Sequence, residues 1–154
     1  MTALAIIRPD SWEFPLFLHV LGAMLTFGTT ATVAIVGFAG TRADPERSLW
    51  LRGLAFKIAL FVLVPAFIVM RAAAQWILDK EYPGGHDEPG WVGVGFIVTE
   101  PGALLIIVLL VLAFLASRRP TFRAAAAVPW LATIYLVALG VAWFAMTGKP
   151  GGSG

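Results

Sequence analysis

Cysteine is absent from this chain, histidine occurs only twice, and charges are sparse. Without cysteine there are no disulfides, no thiolate metal sites and no cysteine nucleophile. Charged residues make up 13% of the 154 residues, against about 25% in an average soluble domain. With hydrophobic residues at 59%, too little polar surface is left to face water on all sides. No serine-nucleophile motif, phosphate-cradling glycine loop or paired-histidine zinc pattern is present. Gly93 and Gly95, in the segment Trp91-Val92-Gly93-Val94-Gly95-Phe96, do not follow a soluble strand, so they are not a nucleotide fingerprint. The sequence therefore predicts no enzyme and no cofactor. His19 and His86 are too few for a bis-histidine haem within one chain. A copper site from His19 and Met24 would rest on one residue of each type. His86, Asp87 and Glu88 read as a solvated acidic loop.

What the chain has is four long apolar runs, at residues 14–39, 51–78, 91–116 and 124–146. Each exceeds the roughly 20 residues that cross a hydrocarbon core of ~30 Å at about 1.5 Å per residue. The expected fold is all-α: an integral membrane four-helix bundle, a single transmembrane domain over residues 1–150, with the lipid bilayer as its surroundings. Residues 1–13 are too short and too charged (Arg8, Asp10, Glu13) for a cleavable signal. Residues 151–154 read as a flexible tail, native or left by cloning.

Charge sets the expected orientation. Arg42, Arg47, Arg52 and Lys57 around the first loop, with Arg118, Arg119 and Arg123 around the third, are seven of the eleven basic residues. Confined to short loops, they are a positive-inside signal and not a nucleic-acid patch. The second loop, from Asp79 to Pro89, is net acidic. Both termini are thus expected outside. The tryptophans agree: Trp12, Trp76, Trp91 and Trp143 fall at the outer ends of the runs, and Trp50 and Trp130 near the inner ends, as indoles at a headgroup boundary do.

Two prolines interrupt the runs. Pro65 removes the backbone bond to residue 61 and predicts a kink. Pro101 allows two readings: a continuous, kinked helix over 91–116, or a helix that starts at Pro101 with a separate outer segment before it. The continuous helix matches its neighbours in length and is favoured.

Inside the runs, away from their basic ends, sit His19, Arg71 and Glu100. Counted from the outer ends, they sit about 8, 10 and 14 Å deep. A charge at such depth costs roughly 2.5–3.5 kcal/mol even on mild insertion scales, so it is expected to face protein or water. On the second helix Lys57, Ile68, Arg71, Gln75 and Leu78 fall roughly on one side. Lys57 is expected to snorkel into the inner interface, and Arg71 to reach outward with help from Gln75 and Trp76. On the first helix His19, Gly22, Ala23, Thr26, Thr30 and Gly37 recur on one face. That stripe reads either as a packing seam or as the lining of a polar cavity with His19 at its mouth. Arg71 with Glu100 reads either as an ion pair fixing the helices or as a binding site, with His19 as a titrating neighbour.

The segment Leu18-His19-Val20-Leu21-Gly22-Ala23-Met24-Leu25-Thr26-Phe27-Gly28 resembles the first helix of small bacterial four-helix membrane proteins of unknown function, themselves loosely similar to the membrane part of the copper-resistance D family. The resemblance implies a bacterial inner membrane and a role for His19. The extra histidines and methionines that copper handling would need are missing.

The leading expectation is a protein that binds or translocates a small solute or a proton through an outward-facing polar site made by His19, Arg71, Glu100, Gln75 and Thr26. It is expected to act as a homo-oligomer or beside a membrane-complex partner, since so small a bundle does not readily enclose a path. The alternatives are a non-catalytic accessory subunit of a larger membrane complex and, further off, a haem- or copper-handling protein.

Overall fold

The computed structural model describes residues 13–81 and 90–148. It is an all-α bundle of four helices, each long and apolar enough to cross a membrane. Helix α1 is Glu13–Arg42, α2 is Pro45–Glu81, α3 is Gly90–Arg118, and α4 is Ala127–Gly148, entered through a 3-10 turn at Arg123–Ala126. Trp12, His86 and residues 151–154 lie outside the described residues.

Helix α2 has 37 residues, about 55 Å at 1.5 Å per residue, well beyond the ~30 Å hydrocarbon core. Its first turns carry Glu46, Arg47 and Arg52, whose charges need water. The sharp α1–α2 turn is held by local chemistry. Asp44 is the N-cap, its side-chain oxygen accepting from the Arg47 N–H at 3.1 Å, and Pro45 occupies the first helical position. One turn on, the buried Ser48 hydroxyl donates to the Gly40 carbonyl at 2.6 Å and ties the two helices together.

Neighbours in sequence are antiparallel neighbours in space. Gly40 lies by Leu51 at one end of the α1–α2 pair, and Gly22 by Met70 towards the other. Between α1 and α4, Phe38 meets Trp130 and Phe27 meets Trp143. Between α3 and α4, Gly95 lies by Met146 and Gly102 by Tyr135. Helix α1 packs on both halves of α2 and on α4, while α3 packs on α4 and on the first half of α2. The second half of α2, Val64–Glu81, stands off from α3. A wedge is left between them at the end where Glu13, Asp79 and Glu81 sit, called the acidic end below. The other, basic end carries Arg42, Arg47, Arg52, Arg118, Arg119 and Arg123. Exposed tryptophans mark both levels, Trp76 and Trp143 toward the acidic end and Trp50 and Trp130 toward the basic one.

The stripe on α1 is a packing seam. Gly22, Thr26, Thr30 and Gly37 are all buried. A Cβ on Gly22 would lie 2.7 Å from the Met70 backbone nitrogen, and one on Gly37 would lie 2.9 Å from the Pro129 Cβ. Small residues let these backbones approach closely. Val33, Leu63, Leu109 and Tyr135 fill the centre and are essentially inaccessible. The cavity reading of the stripe is therefore replaced by side-chain packing.

Both prolines are absorbed within continuous helices. Residues Ala59–Leu63 form a π turn, in which the Val64 N–H reaches back to the Ala59 carbonyl. The wide turn ends just before Pro65, whose ring would otherwise press on the carbonyl four residues back. In α3, Pro101 sits inside an unbroken helix from Gly90 to Arg118, which is the continuous reading.

Candidate functional site

Arg71, in the second half of α2, reaches across the wedge to α3. Its Nη2 donates to Glu100 Oε1 at 3.1 Å. Its Nη1 donates to Gln75 Oε1 at 3.0 Å, and Gln75 Nε2 donates to Asp79 Oδ1 at 2.9 Å. The Phe96 ring lies under the guanidinium, 5.0 Å from its centroid. Local periodicity makes this possible. Arg71, Gln75 and Asp79 are four residues apart and stand above one another on one helix face, as do Phe96 and Glu100 on α3. The result is a polar ladder descending from the acidic end and terminating at Glu100.

Arg71 is ten residues before the last residue of α2 and Glu100 ten after the first of α3. Both are thus about 15 Å from the acidic helix ends. The Arg71 side chain is 28% exposed and that of Glu100 64% exposed. The pair therefore lies on the flank of the bundle and not within it.

Of the residues expected in the site, the structure brings together Arg71, Gln75 and Glu100. His19 goes elsewhere: its Nδ1 is 3.1 Å from the Met70 carbonyl oxygen, so this nitrogen carries the proton and donates. It braces α1 against α2 one residue before Arg71 without joining the ion pair. Thr26 is fully buried within the bundle. Its carbonyl accepts from the Thr30 hydroxyl at 2.7 Å, while its own hydroxyl has no partner. The face drawn from Lys57 to Leu78 also fails as one face, because the π turn between Lys57 and Ile68 offsets it by about 100°. Lys57 is exposed, as snorkelling requires.

Two participants in the site were missed, and one buried polar group of the core. Asp79 could have been found from its four-residue spacing to Gln75, and Phe96 from its four-residue spacing to Glu100. Tyr135 carried no local signal. It is 1% exposed, its ring packs on Gly102, and its hydroxyl has no hydrogen-bond partner. A recess of about 220 Å³ opens at the basic end between Thr41, Ser48, Arg52 and Pro120, far from the ion pair, and Arg52 Nη1 donates to the Pro120 carbonyl beside it at 3.2 Å. Among the described residues no three histidine, aspartate or glutamate side chains converge on a point that could hold a metal ion.

No protein family, no characterised protein and no solved structure matches this chain. The reading of its function rests on the geometry.

Proposed function

We propose that this multi-pass membrane protein binds a proton or small solute at Glu100 and passes it along the flank of the bundle. The carrying observation is the unbroken ladder Asp79–Gln75–Arg71–Glu100, which links the acidic end to a largely exposed carboxylate. A carboxylate is the natural acceptor for a proton or cation. When Glu100 takes up a proton its negative charge disappears, the pairing with Arg71 weakens, and the guanidinium becomes available to an anionic solute. Ionisable groups within spanning helices pair with one another and mark ion and solute pathways. The packed centre around Val33, Leu63, Leu109 and Tyr135 favours a route beside the helices over one between them.

The test is Glu100→Gln in reconstituted liposomes, with solute or proton uptake and thermal unfolding measured on the same preparation. Flux should be lost while the protein stays folded. If both quantities match the wild type, the binding reading fails. A fall in stability with flux intact would make the pair a strut and favour an accessory subunit, the reading that the packed interior also accommodates.

The same proposal places the chain in a bacterial inner membrane with its basic end in the cytoplasm, supported by the seven basic residues gathered around the first and third loops. Alkaline phosphatase fused after the last residue should then be active in a bacterium. A fusion that inserts normally and stays inactive reverses the orientation.

A further inference from the structure

The helices present exposed stripes at alternating steps of three and four residues. On α1 the stripe includes Phe17, Leu21 and Met24, and on α4 Ile134, Val137, Val141 and Phe144. These stripes are wholly apolar, as lipid contact requires. On α3 the stripe is Ile97, Glu100, Leu104, Ile107 and Val111, with the carboxyl group that pairs with Arg71 among aliphatic side chains. Facing lipid, that carboxylate would keep a single charged partner, Arg71, and stay exposed over most of its surface in a medium that solvates charge poorly. The face bearing it is therefore the one that needs a protein cover.

We propose that the cover is a second copy of this chain, packed on the α2–α3 face about a two-fold axis along the membrane normal. The face is self-complementary. At the level of the ion pair it carries one cation and one anion, and both lie ten residues from the acidic helix ends. Copies inserted in the same orientation hold their charges at the same depth, so a two-fold rotation brings Glu100 of one copy level with Arg71 of the other. Glu100 Oε1 is taken by its own Arg71, and Oε2 remains to accept from the guanidinium of the second copy. Two arginines and two glutamates then close a ring of alternating charge with no net charge. What sets the α3 stripe apart from those on α1 and α4 is its charge, and a polar residue within a helix-packing seam fixes its register. An interface of this kind is isologous, the same patch meeting itself. It also encloses the lower end of the polar ladder between two copies. The inference holds whether or not the site conducts anything.

The absence of cysteine makes the test direct. Leu104→Cys and Val137→Cys are expressed singly in native membranes and oxidised with copper phenanthroline. Leu104→Cys should yield a disulfide dimer and Val137→Cys, on the α4 stripe, should stay monomeric. Adding Glu100→Ala or Arg71→Ala to Leu104→Cys should weaken the dimer, and the swapped pair Arg71→Glu with Glu100→Arg should restore it. Thermal unfolding verifies that each variant folds, and Ile107→Cys replaces Leu104→Cys if that one does not. The proposal is overturned if the α3 cysteines stay monomeric, if they cross-link no better than Val137→Cys, if they capture a protein of another size, or if the charge variants leave cross-linking unchanged.

Discussion

Replacing Gly22 with leucine is expected to abolish the folded bundle, whereas Gly28→Ala leaves it intact or slightly more stable. The contrast follows from what each new side chain meets. A Cβ at residue 22 lies 2.7 Å from the Met70 nitrogen and 2.9 Å from its Cα. These are backbone atoms of α2, so no rotamer change relieves the contact and the helices themselves must part. Even Gly22→Ala should cost on the order of 1–3 kcal/mol, the range for an overpacked site, and leucine more. At Gly28 nothing lies within 4 Å, and exchanging glycine for alanine in a helix gains roughly 0.5–1 kcal/mol. Thermal unfolding in detergent, followed by tryptophan fluorescence, reads the difference. Equal melting of Gly22→Ala and Gly28→Ala would mean that the α1–α2 contact is looser than its geometry states. Damage here should extend to the polar ladder, because Met70 precedes Arg71 and its carbonyl holds His19.

Arg71→Ala is the second large effect expected, and it should exceed that of Glu100→Gln. Removing the guanidinium strands a carboxylate about 15 Å from the helix end, at a cost of roughly 2.5–3.5 kcal/mol for a charge at depth in a bilayer. Glutamate is too short to carry its charge to the interface. Glu100→Gln leaves a cation instead, and Arg71 retains Gln75 and a long aliphatic stem along which to rise toward the acidic end. The double variant Arg71→Leu with Glu100→Leu should unfold close to the wild-type temperature, because replacing both members of an ion pair by apolar groups is often neutral, while removing one leaves the other uncompensated. Losses in the single variants Arg71→Leu and Glu100→Leu that simply add in the double would show the groups to be energetically independent despite the 3.1 Å contact.

The helices were legible in the sequence because run length against bilayer thickness is a coarse, cumulative signal. Their ends were not. The structure carries α1 to Arg42 and begins α2 at Pro45, since Asp44 caps the helix while its first turns are still polar, and a hydropathy run does not register a cap. The ion pair was legible as a possibility. Arg71 and Glu100 are the two opposite charges at similar depth on helices joined by a short loop, and desolvation makes pairing the natural outcome. Grouping His19 with them failed because depth says nothing about direction. His19 lies on the α1 flank of α2, where the Met70 carbonyl satisfies it, while Arg71 turns the other way toward α3. Thr26 was drawn into the site by its polarity, yet it belongs to the α1 seam, where a small side chain matters more than its hydroxyl. Tyr135 was invisible because burial of a tyrosine depends on what stands opposite, in this case Gly102.

By itself the sequence determined four membrane-spanning helices, the division of charge between the two ends, and the level at which each polar group lies along its helix. All three depend on composition and on rise per residue, which accumulate along the chain without reference to any neighbour. Tertiary structure alone decided which way those groups face and what they touch. Facing depends on rotation, and one π turn ahead of Pro65 swings everything after it by about 100°. It depends equally on where α2 separates from α3. That separation turns Arg71 and Glu100 into a bridge across an open flank, because the close approach of α1 at Gly22 holds the second half of α2 on the other side.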